Sequence, residues 1–235
     1  MDEALEKASS RPSAEIAGEP EPELPLTPAL FSCSFFTVPI AMILSPWNIS
    51  NVFENTFSMP MIKPRSRDGR EVKKAVDALV SVLDARLVSE RIFNARAIPR
   101  YLARMCGGSV RDLIRLLNYA QLSARAADKP AIDMAAAKEA VRKLRLDYEK
   151  LLVPGQAYYP VLARIHQAKQ GPLVTPAVTP ESVETNRAFL RELLFNGAVL
   201  EYNGEECWYD VHPVILEIQA FKDAFAAFDR TGGPE

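Results

Sequence analysis

The sequence predicts a mainly α fold, in which a bundle of helices precedes a small α+β unit of the winged-helix type. Apolar residues recur at three- and four-residue steps from about 70 to 152, which is the spacing of one face of a helix. Beyond that bundle, two helical stretches precede two β-prone runs, the order helix, helix, hairpin. A remnant of an α/β core is predicted ahead of the bundle. The predicted regions are a disordered leader, the core remnant, the bundle and the winged helix, over 1–28, 29–66, 67–153 and 154–235.

The leader is rich in Glu, Pro, Ala and Ser and has too few large apolar groups to offset the entropy cost of ordering. In the core remnant, the apolar residues from Ala29 to Val38 predict a strand. Pro39 cannot donate to a ladder, so this strand is predicted to end near Thr37. The stretch SMPMIKP predicts a second short strand, and SRDG predicts a turn. If these strands belong to a sheet whose other strands are missing, their edges are uncovered, which favours pairing with another chain.

Leu24 to Phe53 carries no charged side chain, so a membrane anchor has to be weighed. A span needs about 20 predominantly apolar residues, whereas the apolar core here is shorter and contains Pro39. A buried strand followed by a turn is therefore favoured, and a membrane-anchored adaptor is the alternative. The three cysteines are widely separated, as in reduced thiols of a cytoplasmic protein, and the two histidines lack the spacing of metal ligands.

Within the bundle, helices are predicted from about Arg70 to Leu87, around Ile98 to Met105, after Ser109 and after Asp133. Gly107 and Gly108 should stop the second of these. In the last region, helices are predicted near Tyr158 to Gln170, from Glu181 to Phe195 and from Pro213 to Phe228. Asn203-Gly204 lies between the β-prone runs and is a strong hairpin signal.

The helix opened by Ser109 carries an arginine where a helix tolerates it least. A cation in the first turn faces the positive end of the helix dipole, at a cost of about 0.3–1 kcal/mol unless an anion lies nearby. Ser109 and Asp112 form a start like a capping box, so the local rules are otherwise obeyed. A solvated basic stripe is one interpretation of Arg111, Arg115, Asn118 and Arg125. An anion site at the helix start is the other, and it would suit a phosphate.

At these residues the sequence resembles the lid of the AAA+ superfamily of P-loop ATPases, especially bacterial members that end in a winged helix. Gly108 to Arg111 is similar to the sensor-2 pattern Gly-x-x-Arg that opens a lid helix. The resemblance implies that Arg111 reaches the γ-phosphate of a nucleotide, with Arg115 as a possible further phosphate contact. FFTVPIAMILS resembles the sensor-1 strand and loop, with Thr37 at its tip, and MPMIKP the final core strand. GAVLEYNGEECWYDVHPVI resembles the closing hairpin and His-Pro segment of the winged helix.

The sequence also departs from this family. It contains no G-x-x-x-x-G-K-[ST] motif and no apolar strand ending in paired acids ahead of Thr37. The chain is therefore not expected to hydrolyse ATP alone, and ATP with Mg²⁺ is expected only if the missing core is supplied. It looks like the C-terminal part of such an ATPase, either a truncated reading frame or a degenerate paralogue.

The predicted helix from Glu181 to Phe195 could also enter DNA, with Arg187 and Arg191 as candidate phosphate contacts. The net charge of −2 means that any DNA contact must be regional, and glutamates on this helix and in the wing would repel phosphate. A protein-contact or autoinhibitory role is favoured over DNA for this unit. A stand-alone winged-helix regulator that binds DNA or protein is thus the alternative to a nucleotide-sensing lid. His212 is expected to cap a helix or satisfy a backbone carbonyl, and Trp208 and Tyr209 to pack with one of the two side chains facing inward.

Overall fold

The computed structural model of the chain describes residues 38–39, 41–42, 57, 59–87, 89–152, 158–169, 183–204 and 207–230. They belong to one compact unit, Val38–Glu235. The predicted leader, Thr37 and nearly all of the first predicted strand lie outside the described residues.

The described part of the chain is mainly helical with a small two-stranded sheet, so the predicted mainly α class is confirmed. The α-helices are α1 Lys73–Asp84, α2 Ser89–Ile92, α3 Ala97–Met105, α4 Val110–Ala126, α5 Met134–Leu151, α6 Tyr158–Ala168, α7 Val183–Phe195 and α8 Gln219–Arg230. A 3₁₀ helix covers Ile215–Glu217, and the strands are β1 Val199–Tyr202 and β2 Trp208–Val211. The single turn of α2 was not predicted.

The bundle is built around α4 and α5, which pack along each other, while α3 contacts both of them and also α1. The buried side chains fall where the three- and four-residue spacing places them. They include Val76, Leu79 and Leu83 of α1, Leu113, Leu116 and Leu117 of α4, and Val141, Leu144 and Tyr148 of α5. Asp133 caps α5 as predicted, because its carboxylate accepts the Ala136 N–H at 2.8 Å.

The predicted hairpin forms, with β1 antiparallel to β2 and Tyr202 opposite Trp208. Its loop runs from 203 to 207 and is therefore longer than the two-residue turn that Asn203-Gly204 favours. Asn203 is instead used as a clamp: its Oδ1 accepts the Met61 N–H at 2.7 Å and its Nδ2 donates to Met59 O at 3.1 Å. The Asn-Gly signal thus marks the hairpin correctly but not its turn.

Both faces of the hairpin are covered. Trp208 and Tyr209 are 2% and 1% exposed, and only one of them faces the main core, as predicted. Trp208 packs with Leu200, Tyr202 and Met61, while Tyr209 belongs to the main core. Trp208 is buried as well because Met61, in the segment before α1, packs on the face that an isolated wing would leave open.

Two other predicted elements differ from the structure. Residues 59–63 form no strand, and Asn203 bonds the Met61 N–H and the Met59 carbonyl instead. The predicted final helix from Pro213 is interrupted, because Ile218 is extended with ψ of 131° and separates the 3₁₀ helix from α8. The predicted turn at SRDG is confirmed, with the Gly69 N–H donating to Ser66 O at 2.8 Å.

Candidate functional site

The candidate site is the first turn of α4, and a pair of glycines determines what packs against it. Gly107 and Gly108 have φ of +62° and +97°, which L side chains rarely adopt. A Cβ on Gly108 would lie 2.0 Å from the carbonyl oxygen of Ile62. The segment before α1 therefore passes directly against the start of α4.

Ser109 caps the helix as predicted, since its Oγ accepts the Asp112 N–H at 3.2 Å. The reciprocal bond of a capping box is replaced, because the Ser109 N–H donates to Cys106 O at 3.0 Å. The Asp112 carboxylate is thereby available for other partners.

Arg111 follows the cap by two residues and is exposed. Among the described residues, its guanidinium makes no hydrogen bond or salt bridge. No described carboxylate thus offsets the cost of placing this cation at the helix start. Thr37, the other predicted nucleotide-sensing residue, lies outside the described residues.

Arg115, one turn further along, is held by two carboxylates. Its Nη1 donates to Asp112 Oδ1 at 3.0 Å, and its Nη2 donates to Asp147 Oδ2 at 3.0 Å. Tyr119 also donates to Asp147 Oδ2, at 2.6 Å. A phosphate at Arg115 would have to compete with both carboxylates. Arg115 is therefore less available to a phosphate than Arg111.

A buried polar cluster links this helix start to the hairpin. The single O–H of Tyr148 is shared between Asp112 Oδ2 at 3.3 Å and Gly197 O at 3.2 Å. Gly197 comes just before β1. Beyond β2, the ring of His212 packs on that of Tyr148, with centroids 5.0 Å apart. Both ends of the hairpin therefore touch the residue pair Asp112 and Tyr148.

His212 is completely buried, and its hydrogen bonds define its tautomer. Its Nδ1 accepts the Val214 N–H at 3.3 Å, so the proton of the neutral ring lies on Nε2. Nε2 lies 3.5 Å from Asp112 Oδ2, which is too long for a well-formed hydrogen bond, and it has no other partner in the described part of the chain. The sequence suggested a helix cap or a bond to a backbone carbonyl, and the observed bond is to the N–H of Val214, the residue before the 3₁₀ helix Ile215–Glu217.

These contacts set the charge state of the cluster. Burial raises the pKa of Asp112, but His212, Ser109 and Arg115 outweigh it and lower that pKa to about 2. Burial and the nearby Asp112 carboxylate raise the pKa of Tyr148, so its hydroxyl remains a donor. Asp112 is therefore a carboxylate at neutral pH and can hold His212, Ser109 and Arg115 together.

The cluster is suited to positioning rather than to catalysis. Asp112 and His212 are 5% and 0% exposed, so a substrate cannot reach them. The group that faces outward is Arg111, adjacent to Asp112 in the sequence. Movement of the α4 start would disturb the hairpin contacts, because the same turn of helix carries both residues.

The predicted DNA contacts lie elsewhere. Arg187 falls within α7, and its side chain is outside the described residues. Arg191 lines an open cavity of about 530 Å³ with Ala41, Met42, Ala188, Phe189, Glu192 and Phe195. The structure therefore places a glutamate beside this arginine in a partly apolar cavity.

The sequence reasoning missed a second histidine contact. His166 Nδ1 lies 2.6 Å from Asp210 Oδ1, and Lys169 Nζ lies 3.4 Å from the other oxygen of that carboxylate. His166 also packs against Phe221 and Phe225 of α8. This group of side chains joins α6, β2 and α8. The spacing of apolar residues along α6 is the sequence signal that could have indicated which face of the helix His166 occupies.

Comparisons with protein-family models, with curated proteins and with solved structures found no match for this chain. No group of three or more potential metal-ligating side chains occurs among the described residues. Within the same residues, no helix has the length and apolar character needed to cross a bilayer.

Proposed function

We propose that this chain is the nucleotide-sensing lid and winged-helix portion of an AAA+ type ATPase, which does not hydrolyse ATP by itself. One observation carries the proposal: Arg111 presents an exposed guanidinium without a described partner at the capped N-terminus of a 17-residue helix. Free N–H groups and a guanidinium together suit the terminal phosphate of a nucleotide.

The neighbouring contacts support this assignment. Asp112, the acid closest in sequence, is turned inward to Arg115 and Tyr148. It is therefore not paired with Arg111. The passage of Ile62 against Gly108 places the start of α4 beside the segment that resembles the last core strand. A nucleotide held by a core, in this or another polypeptide, would meet Arg111 there.

The proposal can be tested on the full chain with inorganic triphosphate as the probe. Isothermal titration at low salt should give weak binding, with a Kd of about 1 mM, because one arginine and one helix end supply few contacts. Arg111→Ala should weaken this binding. Arg125→Ala removes an exposed cation at the opposite end of the same helix and should leave it unchanged. Equal binding by the parent and Arg111→Ala would refute the sensor assignment.

The alternative is a stand-alone winged-helix regulator that binds DNA or protein. The contacts of the hairpin disfavour DNA binding through the wing, because both faces of that hairpin are packed against the chain itself. Loss of DNA binding in a variant with Arg187→Ala and Arg191→Ala would favour this alternative.

A further inference from the structure

The strongest concentration of positive charge lies between the predicted core remnant and α1. We call residues 63–74 the basic turn. It contains two acidic residues, Asp68 and Glu71, and six basic ones, Lys63, Arg65, Arg67, Arg70, Lys73 and Lys74. This is a net charge of +4 in a chain whose net charge is −2. The remaining residues therefore carry a net negative charge, opposite in sign to that of the basic turn.

Hydrogen bonds hold the backbone of the basic turn in place. The Ser66 N–H donates to Arg70 O at 2.8 Å, and the Val72 N–H donates to Pro64 O at 2.9 Å. Arg65 and Glu71 form an antiparallel bridge across it. Backbone bonds on both sides of the turn hold the attachment points of its cations in place.

The two acidic residues of the basic turn are already paired with other side chains. Asp68 is bonded to Arg70 and to Ser66. Glu71 lies 2.7 Å from Arg104 Nε and 3.8 Å from Arg100 Nη2, both on α3. Neither carboxylate neutralises the remaining cations of the turn.

Several cations of the basic turn have no such compensation. The side chains of Arg65, Arg67, Lys73 and Lys74 make no salt bridge within the described part of the chain. Arg67, Lys73 and Lys74 are exposed. They can therefore approach an external anion without losing an internal partner.

The start of α1 points to the same conclusion. Lys73 and Lys74 form its beginning, its first turn contains no acid, and its N-cap residue, Val72, provides no side-chain bond. Two cations at an uncapped helix start are unfavourable in isolation. A bound anion would compensate the charge of the lysines and that of the helix dipole together.

The composition of the basic turn selects among polyanions. It has no aromatic side chain on which an unpaired base could stack. Within the turn itself no large apolar side chain that could enter a bilayer is exposed, and the exposed Phe57 and Met59 lie outside it. Arginine and lysine side chains on an ordered turn can contact the phosphates of a nucleic acid duplex without reading its bases.

We propose that the basic turn binds the phosphate backbone of double-stranded DNA without reading its base sequence. The side chains involved differ from Arg111 and from the predicted contacts Arg187 and Arg191. This inference does not depend on the proposed nucleotide-sensing role.

The test is fluorescence anisotropy of a labelled 30-base-pair duplex with the full chain, between 50 and 200 mM KCl. A variant combining Arg67→Ala, Lys73→Ala and Lys74→Ala is compared with one combining Lys138→Ala, Arg142→Ala and Lys150→Ala. The second set lies on the exposed side of α5 and removes the same charge. Circular dichroism melting checks that both variants remain folded.

At 100 mM KCl the basic-turn variant should bind about tenfold more weakly than the parent or worse, and the α5 variant within about twofold of it. The slope of log K against log salt should fall in magnitude by roughly 3 in the basic-turn variant, because three phosphate contacts are lost. A second duplex of scrambled sequence should bind equally. Arg111→Ala should bind the duplex like the parent, which separates this result from the nucleotide test.

Four results of the DNA measurements would overturn the inference. They are equal losses in the two triple variants, no binding by the parent at 50 mM KCl, loss only with Arg187→Ala and Arg191→Ala, and a strong sequence preference. Tighter binding to vesicles containing phosphatidylserine than to the duplex would instead identify a lipid surface and would also overturn it.

Discussion

Asp112 and His212 are separated by 100 positions in the sequence, yet the carboxylate Oδ2 lies 3.5 Å from the imidazole Nε2 in a fully buried contact. Asp112 belongs to the first turn of α4, and His212 follows the last strand of the hairpin. The contact therefore joins the helix that carries Arg111 to the unit predicted as a winged helix.

The stability of the chain should depend on Asp112 at acid pH. Its pKa falls from the ordinary 3.8 to about 2 in the folded protein. The carboxylate thus stabilises the fold above pH 3.8, and this contribution is lost as the pH falls through about 2. Asp112→Asn should lower the free energy of unfolding at pH 7 by roughly 2 kcal/mol and flatten its pH dependence between pH 4 and 2. Urea titrations across this range measure both effects.

Asp128→Asn is the matched control for that measurement. Asp128 is exposed and has φ of 55°, a conformation that asparagine also tolerates. Its variant should keep the parent's stability at pH 7 and the parent's acid transition. An unchanged acid transition in Asp112→Asn would show that the cluster does not depend on this carboxylate.

Gly108→Ala should destabilise the chain strongly. The new Cβ would lie 2.0 Å from Ile62 O, and φ of +97° is unfavourable for alanine. Backbone strain and displacement of the segment before α1 should together cost about 3 kcal/mol or more. Gly69→Ala has a similar φ of +87° but no atom of the described residues within 4 Å of its Cβ, so it should cost only about 1–2 kcal/mol. Equal losses by urea denaturation would contradict the close approach at Ile62.

The two arginines at the start of α4 should affect stability in opposite directions. Arg111→Ala removes an unpaired cation from the helix N-terminus and should raise the free energy of unfolding by about 0.3–1 kcal/mol. Arg115→Ala leaves Asp112 and Asp147 without a shared partner. Because the Arg115 side chain is 39% exposed, the expected loss is only about 1 kcal/mol. Thermal melts at pH 7 compare the variants, and a loss on Arg111→Ala would indicate a structural role for that residue.

The sequence predicted the helices well where apolar spacing is continuous. The α4 cap at Ser109 and the α5 cap at Asp133 were both predictable, because a cap depends on residues within one turn. The end of the chain was harder. Ile218 leaves helical geometry although no proline or glycine stands there to signal a break.

The contacts of the candidate site were less predictable than its position. The unfavourable placement of Arg111 could be read from local rules, whereas the partners of Asp112 come from residues 36 and 100 positions away. Asn203 illustrates the same limit: its hairpin signal is local, but its bonds to Met59 and Met61 depend on tertiary packing.

The Tyr202 hydroxyl of β1 donates to Gly107 O at 2.8 Å inside the protein. In the other direction, the Tyr148 hydroxyl of α5 donates to Gly197 O, just before β1. Each of these bonds ties a residue of the bundle to the hairpin or the turn that leads into it. The described helices and hairpin thus form one cooperative unit, which heat should melt in a single transition. Replacing either the bundle or the hairpin by that of another protein would leave buried polar atoms without hydrogen-bond partners.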